Sequence, residues 1–256
     1  MREAQHLSSL TLALSLPEKA HVTSAWANSL APFLQGVLME SIDQGYASWL
    51  HAQPFNPYSQ YCLVGAESKT LSWHVNTLTD EAFRQIILPL QRLDSFRLRG
   101  VDMEVDVEGR TVTTASVKEL TDMIYHADAK RQKVEFVTPT AFKQSGSYVF
   151  LPSVKLIFQN LLMRYFQVYE GSNEVDVETV DYLEKYVHVS SYQLRSQYFD
   201  HAAYEKRKIP GYTGSVGLSF KGPQPIVGLA QMLLRFGEYA GVGIKTSMGM
   251  GGIRCS

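Results

Sequence analysis

The last sixteen residues, Gly241-Val-Gly-Ile-Lys-Thr-Ser-Met-Gly-Met-Gly-Gly-Ile-Arg-Cys-Ser256, gather glycines, cations and hydroxyls in one short stretch. Glycine at this density costs conformational entropy on folding, which an idle tail has no reason to incur. Gly241, Gly243, Gly249, Gly251 and Gly252 can bring main-chain N–H groups close to a ligand, and Lys245, Thr246, Ser247 and Arg254 add donors and positive charge among them. An anion such as a phosphate is the expected guest. On this reading, bulkier residues at Gly249 and Gly251 weaken binding while folding survives. The competing reading is a flexible C-terminus.

Two familiar phosphate-binding motifs are excluded. A P-loop needs glycine directly before its lysine and a helix opening at the Lys-Ser/Thr pair, whereas Ile244 precedes Lys245 and more glycines follow. A dinucleotide fingerprint fails at Met248 and Gly249, and no βαβ unit follows. What remains is a glycine-rich loop that closes a fold and touches a phosphate chain.

The 256 residues, 45% hydrophobic, suffice for one large core or two ordinary ones, and two small domains are expected. The formal net charge of −1 excludes a general polycation, so nucleic-acid contact must come from local basic patches. Cys62 and Cys255 lack partners at metal-ligand spacing and form no disulfide framework, which fits a reducing cytoplasm. Leu7–Leu16 resembles the apolar part of a signal peptide, but Leu10, Leu12, Leu14 and Leu16 alternate with smaller or polar residues and describe a half-buried strand. No run approaches the ~18 apolar residues of a membrane span, and a soluble, unexported protein is expected.

The elements that must position the loop follow from periodicity. After the first strand, apolar residues from Trp26 to Leu50 recur at three- and four-residue intervals and predict one long helix. Strands are expected at Gln60–Ala66 and Thr70–Leu78, a helix from Thr79 with a kink at Pro89, and extended chain at Phe96–Val107 and Arg110–Ser116. The order β-α-β-β-α-β is the ferredoxin-like, split βαβ unit. A second such unit is expected from a strand at Lys133–Val137, a helix at Ser153–Val168, strands at Val187–Phe199 and Gly214–Phe220, and a helix at Ile226–Tyr239. The expectation is an α+β chain of two tandem ferredoxin-like, RRM-like domains, 1–127 and 128–256, with the glycine-rich loop before the last strand.

Several local patterns then coincide: Leu50-His51-Ala-Gln-Pro54-Phe55, Phe136-Val-Thr-Pro139-Thr140-Ala-Phe142, Leu151-Pro152-Ser-Val-Lys-Leu-Ile-Phe158, Gly211-Tyr-Thr-Gly214-Ser-Val-Gly217 and Gly241–Gly252. In this order and spacing the chain resembles the CRISPR-associated endoribonucleases of the RAMP superfamily, which cut precursor CRISPR RNA within its repeats. The resemblance implies cleavage without metal or other cofactor, by a ribose 2′-hydroxyl attacking the adjacent phosphate to leave a cyclic phosphate. CRISPR repeat RNA is the implied partner, with effector-complex proteins and a homodimer as further partners and no membrane.

By its residue context alone, past an aromatic helix end, His51 reads as a cap or surface residue; by the resemblance it matches the family's catalytic histidine, an imidazole suited to proton transfer near neutrality. Some members pair it with a tyrosine about fifteen residues earlier and a lysine about six later; those places here hold Gly36 and Pro57. Tyr46 and Tyr58 are the candidates to assist His51, each with core packing as the alternative, Ser59 and Gln60 are further candidates for orienting the ribose, and the lysine role falls to Lys143 or Lys245. Two basic clusters, Lys206-Arg207-Lys208 between Tyr204 and Tyr212, and Arg131 with Lys133, are read as RNA contacts or as solvated turns. The rivals are an inactive RNA-binding subunit of a CRISPR particle and a small-molecule enzyme gripping a phosphorylated ligand on the same fold.

Overall fold

The computed structural model describes residues 5–16, 22–65, 70–172, 174–200 and 208–256. The chain opens with β1 (His6–Ser15), whose Leu10, Leu12 and Leu14 are fully buried while the residues between them face the other way. Period-two burial of this kind needs something apolar on one face of the strand only. Helix α1 (Ser24–Ser41) supplies it through Leu30, Leu34 and Leu38. The Thr23 hydroxyl accepts from the Trp26 N–H and starts α1.

The expected single helix is two. α1 stops at Ser41, Ile42 is extended, and Asp43 opens α2 (Gln44–Ala52) by accepting from the Tyr46 N–H at 2.9 Å. The side-chain cap restarts the helix in a new direction, which a continuous apolar period cannot reveal. β2 (Tyr58–Val64) and β3 (Thr70–Thr77) follow as an antiparallel pair. Thr79 caps the next helical stretch: α3 (Asp80–Ala82), a π turn at Phe83–Ile87, then α4 (Leu88–Leu90). The predicted kink at Pro89 is thus a widened turn just before the proline.

A hairpin of β4 (Ser95–Leu98) and β5 (Met103–Ser116) completes the first sheet, in the order β2-β3-β1-β5-β4, with every pairing antiparallel. The run β2-β3-β1-β5 gives the ferredoxin-like arrangement, with β4 added at its edge. An unforeseen helix, α5 (Val117–His126), begins with a capping box between Ser116 and Glu119.

The second half repeats the plan. β6 (Arg131–Thr140) leads to a small hairpin, β7 (Phe142–Gln144) and β8 (Ser147–Val149), then to α6 (Val154–Tyr169) and α7 (Val177–Tyr186). β9 (Val187–Asp200), β10 (Lys208–Phe220), α8 (Gln224–Ala240) and β11 (Ile253–Cys255) complete it. The order β11-β6-β10-β9 is again ferredoxin-like and antiparallel. The fold is α+β with two tandem ferredoxin-like units, and the glycine-rich segment joins the last helix to the last strand.

Each unit has its own core. One packs Leu12, Leu34, Trp73 and Ile86; the other packs Phe136, Phe158, Leu233 and Phe236 and also draws in Leu7, Leu78 and Leu120 from the first half. Polar contacts lock the halves together: the Ser59 hydroxyl donates to the Tyr239 carbonyl at 2.6 Å, the Asn76 amide donates to the Glu238 carbonyl, and the Tyr169 hydroxyl donates to the Leu78 carbonyl. Among the described residues no helix is long and apolar enough to cross a membrane.

Candidate functional site

The glycine-rich segment is held by one guanidinium. Arg164, on α6, is buried, and its Nη1 donates to the Ala240 carbonyl at the end of α8 and to the Thr246 hydroxyl, at 2.7 and 2.8 Å. Its Nη2 donates to the Gly243 carbonyl at 2.9 Å. A cation at a helix C-terminus meets the negative end of its dipole. Among the described residues no carboxylate pairs with Arg164, and burial pushes its pKa down to about 10.

Around that anchor the segment is folded tightly. Lys245 has φ +54 and begins a short 3₁₀ turn at Thr246–Met248. The N–H groups of Val242, Ile244, Met250 and Gly251 donate to the carbonyls of Gly251, Ala141, Lys245 and Pro139. Those of Gly243 and Gly252 donate to the Asn160 Oδ1 and the Thr138 Oγ1. The glycines therefore serve the protein's own packing. At φ +85, a Cβ on Gly243 would stand 2.3 Å from the Ala141 oxygen; one on Gly251, at φ +73, would stand 2.0 Å from the Val242 oxygen. A Cβ on Gly249 would meet that of Ala31 on α1 at 2.2 Å. The expectation that folding is indifferent to Gly249 and Gly251 is corrected by these contacts.

The first unit grips the same segment. Gln60, fully buried on β2, donates to the carbonyls of Ala31 and Ser247 and accepts from the Trp73 indole at 3.0 Å. The Asn56 amide donates to the Ser247 hydroxyl at 3.4 Å. Ser59 and Gln60 are thereby spent on joining the two units and are not free to orient a ribose, a correction that burial alone dictates.

A cleft of about 430 Å³ opens where these parts meet. Its walls are Pro54, Phe55 and Asn56 after α2, Lys143 and Gln144 on β7, one stripe of α6 from Leu156 to Arg164, and Gly243 to Ser247. Phe55 covers the Arg164 guanidinium, with 5.5 Å from its carbon to the ring centre. Three cations and no carboxylate line the cleft among the described residues, which suits an anionic ligand.

The structure brings Gly243, Lys143, Lys245, Thr246 and Ser247 to this cleft. His51 stands exposed on the last turn of α2, just before the segment that walls it. Tyr46, half-buried on the first turn of α2, stacks on Trp49 at 5.3 Å, and burial raises its pKa, as does the nearby Glu81 carboxylate, so it stays a phenol. Tyr58 is fully buried in the first core, where desolvation raises its pKa, and its hydroxyl accepts from the Gln35 amide. The structure gives Tyr58 a packing place, with no exposed surface to present to a substrate. Gly241 ends α8 at φ +70.

Other predicted contacts lie elsewhere. Arg131 and Lys133 are exposed on β6 and line a shallow depression with Ser190, Ser191 and Ser215. Arg254, exposed on β11, lies beside Tyr61, and Lys208 is exposed at the start of β10. Lys206 and Arg207 lie outside the described residues. Among the described residues no group of three His, Cys, Asp or Glu could hold a metal ion.

Reading the sequence missed Arg164, Asn160 and Asn56. A signal for the first two exists: Leu156, Gln159, Asn160, Met163 and Arg164 recur at helical spacing on the face opposite the apolar stripe of α6, and an arginine closes that stripe.

The profile of the family described as CRISPR-associated endoribonuclease Cas6 matches residues 134–253. A Mycobacterium tuberculosis CRISPR-associated endoribonuclease Cas6 is 39% identical over 256 residues, covering 99% of this chain and 79% of that protein. A Streptococcus thermophilus protein of the same name is 34% identical over 230 residues, covering 89% of this chain and 92% of its own. A solved product complex of Thermus thermophilus Cas6 superposes with a TM-score of 0.76 at 21% identity, covering 98% of this chain and 99% of that one.

Proposed function

The chain belongs to the Cas6 family of CRISPR-associated endoribonucleases, and from that premise we propose that it cleaves CRISPR repeat RNA, without metal, by attack of a ribose 2′-hydroxyl on the adjacent phosphate. One observation carries the reading: the last turn of α2 presents His51 to solvent and runs directly into a wall of the cleft whose cations are Lys143, Arg164 and Lys245. Attack by an internal hydroxyl needs a proton taken from the nucleophile, a proton given to the 5′ leaving oxygen, and positive donors at the phosphate. His51 is the group proposed for a proton step. Lys143 and Lys245 are proposed for the phosphate, with Tyr46 as a hydrogen-bond donor. The bond broken is phosphorus to the 5′ oxygen, the bond formed is phosphorus to the 2′ oxygen, and the products are a 2′,3′-cyclic phosphate and a 5′-hydroxyl.

Arg164 and the glycines serve this reading indirectly, by holding the loop that places Lys245 at the cleft. Arg131 and Lys133 line a second basic depression, proposed with Arg254 for RNA flanking the cleaved site, and the cytoplasm is the proposed setting. The test is cleavage of a cognate repeat RNA in excess chelator with analysis of the product ends. Cyclic phosphate and 5′-hydroxyl ends are expected; strict dependence on added magnesium contradicts the reading.

A further inference from the structure

The cleft differs from a plain phosphate cradle in what lines it. Beside Lys143 it holds the half-buried ring of Phe55 and the amides of Asn56, Gln159 and Asn160. A volume of about 430 Å³ with apolar walls and a few convergent amides is the form of a small-molecule site, and it is large enough for one nucleotide. A phosphate alone needs neither the aromatic face nor the amides.

Two orphaned polar atoms stand at the same place. Arg164 Nε and Asn56 Oδ1 are both buried without a hydrogen-bond partner among the described residues, and such atoms call for an explanation. Arg164 Nε lies behind the Phe55 ring and is closed to a base stacked on the ring's far face, whereas Asn56 Oδ1 is an acceptor on the cleft wall. Asn160 adds to it: its Oδ1 is held by the Gly243 N–H at 2.8 Å, which fixes the amide and leaves its NH₂ group to donate.

We propose that the cleft is a pocket for one unpaired nucleotide of the RNA, with the base stacked on Phe55, its edge read by Asn160 and Gln159, and its phosphate on Lys143. This rests on the RNA reading above and adds to it a place where base identity is sensed. The ring of Phe55 already covers Arg164 on one side, so a base on the other side completes a stack of guanidinium, ring and base. Stacking of a single base on an aromatic side chain tolerates any sequence, while amide contacts discriminate.

The experiment is a scan of single abasic replacements through the unpaired positions of a repeat RNA, read by affinity and by single-turnover cleavage. Wild-type protein, Phe55→Leu and Gln159→Ala are compared, and the last variant tests the pocket even if removing the ring weakens the fold. One position is expected to lose about tenfold or more in affinity with wild-type protein. In Phe55→Leu the same replacement is expected to cost less than about twofold, and in Gln159→Ala an intermediate amount. A wild-type protein that cuts the repeat while no unpaired position shows this coupling overturns the pocket and leaves the RNA reading standing. A protein that neither binds nor cuts repeat RNA overturns both.

Discussion

Arg164 Nη2 donates to the carbonyl of Gly243 at 2.9 Å across 79 residues of sequence, and its Nη1 bonds to Ala240 and Thr246 tie the end of α8 to the loop that follows it. One buried side chain therefore sets the course of the chain between the last helix and the last strand. Replacing it with Met removes three charge-assisted bonds and leaves the carbonyls of Ala240 and Gly243 without a partner. Arg164→Met is expected to lower unfolding stability by about 3 kcal/mol or more, measured by denaturant titration, and to depress cleavage by displacing the loop. Arg164→Lys restores the charge without the planar fork and is expected to recover only part of the stability.

The glycines make a sharper case. Gly243→Ala and Gly251→Ala each place a Cβ against a main-chain oxygen, at positive φ, so both strain and collision are introduced. Each is expected to cost about 2 kcal/mol or more, seen as a lowered thermal midpoint. Gly36→Ala is the control, because nothing lies within 4 Å of its missing Cβ and it sits inside α1. A small gain or no change is expected there. Unchanged stability in the first two would mean that the loop is not packed as described.

His51 is exposed on α2 and belongs to neither core, so its loss tests chemistry with little disturbance of the fold. His51→Ala is expected to reduce the single-turnover rate by about 10²–10⁴, the worth of a positioned acid or base, with RNA affinity and thermal midpoint nearly unchanged. A variant that cuts at the wild-type rate would assign His51 a surface role only.

His74 gives the protein a pH dependence unrelated to catalysis. Its Nδ1 and Nε2 bond to the hydroxyls of Thr11 and Ser72 at 3.0 and 2.9 Å, and its ring stacks on Tyr61. Burial first, and the charge of Arg254 second, lower its pKa from 6.5 to about 4. The folded state therefore holds the ring neutral where the unfolded chain would protonate it. The stability contributed is present above the unfolded value of 6.5 and is lost as pH falls from there toward about 4. The loss is expected to be of the order of a few kcal/mol, and His74→Gln is expected to flatten the curve of thermal midpoint against pH over that window.

The architecture was largely legible because its signals are local. The alternation of Leu10, Leu12 and Leu14 and the apolar stripe of α6 each follow from burial of one face. The break before α2 was hidden because Tyr46, Trp49 and Leu50 continue the apolar period across it, and only the Asp43 cap marks the restart. α5 escaped notice because just one of its residues, Leu120, is buried. The site was less legible for a different reason. Ser59 and Gln60 are polar residues of a strand, and what they bond to is set by the docking of a unit about 180 residues away. The glycines were correctly singled out as places of close approach, but the neighbour they approach is the protein itself.

In the proposed reaction the RNA supplies its own nucleophile, and one substrate tests this directly: a cognate repeat RNA with a single 2′-deoxyribose at the nucleotide before the cut, incubated with the protein in chelator beside the unmodified RNA. The modified RNA is expected to bind with unchanged affinity and to remain uncut while the unmodified RNA is cleaved. Cleavage of the deoxy substrate at the same position and rate would contradict 2′-hydroxyl attack and the role given to His51 in it.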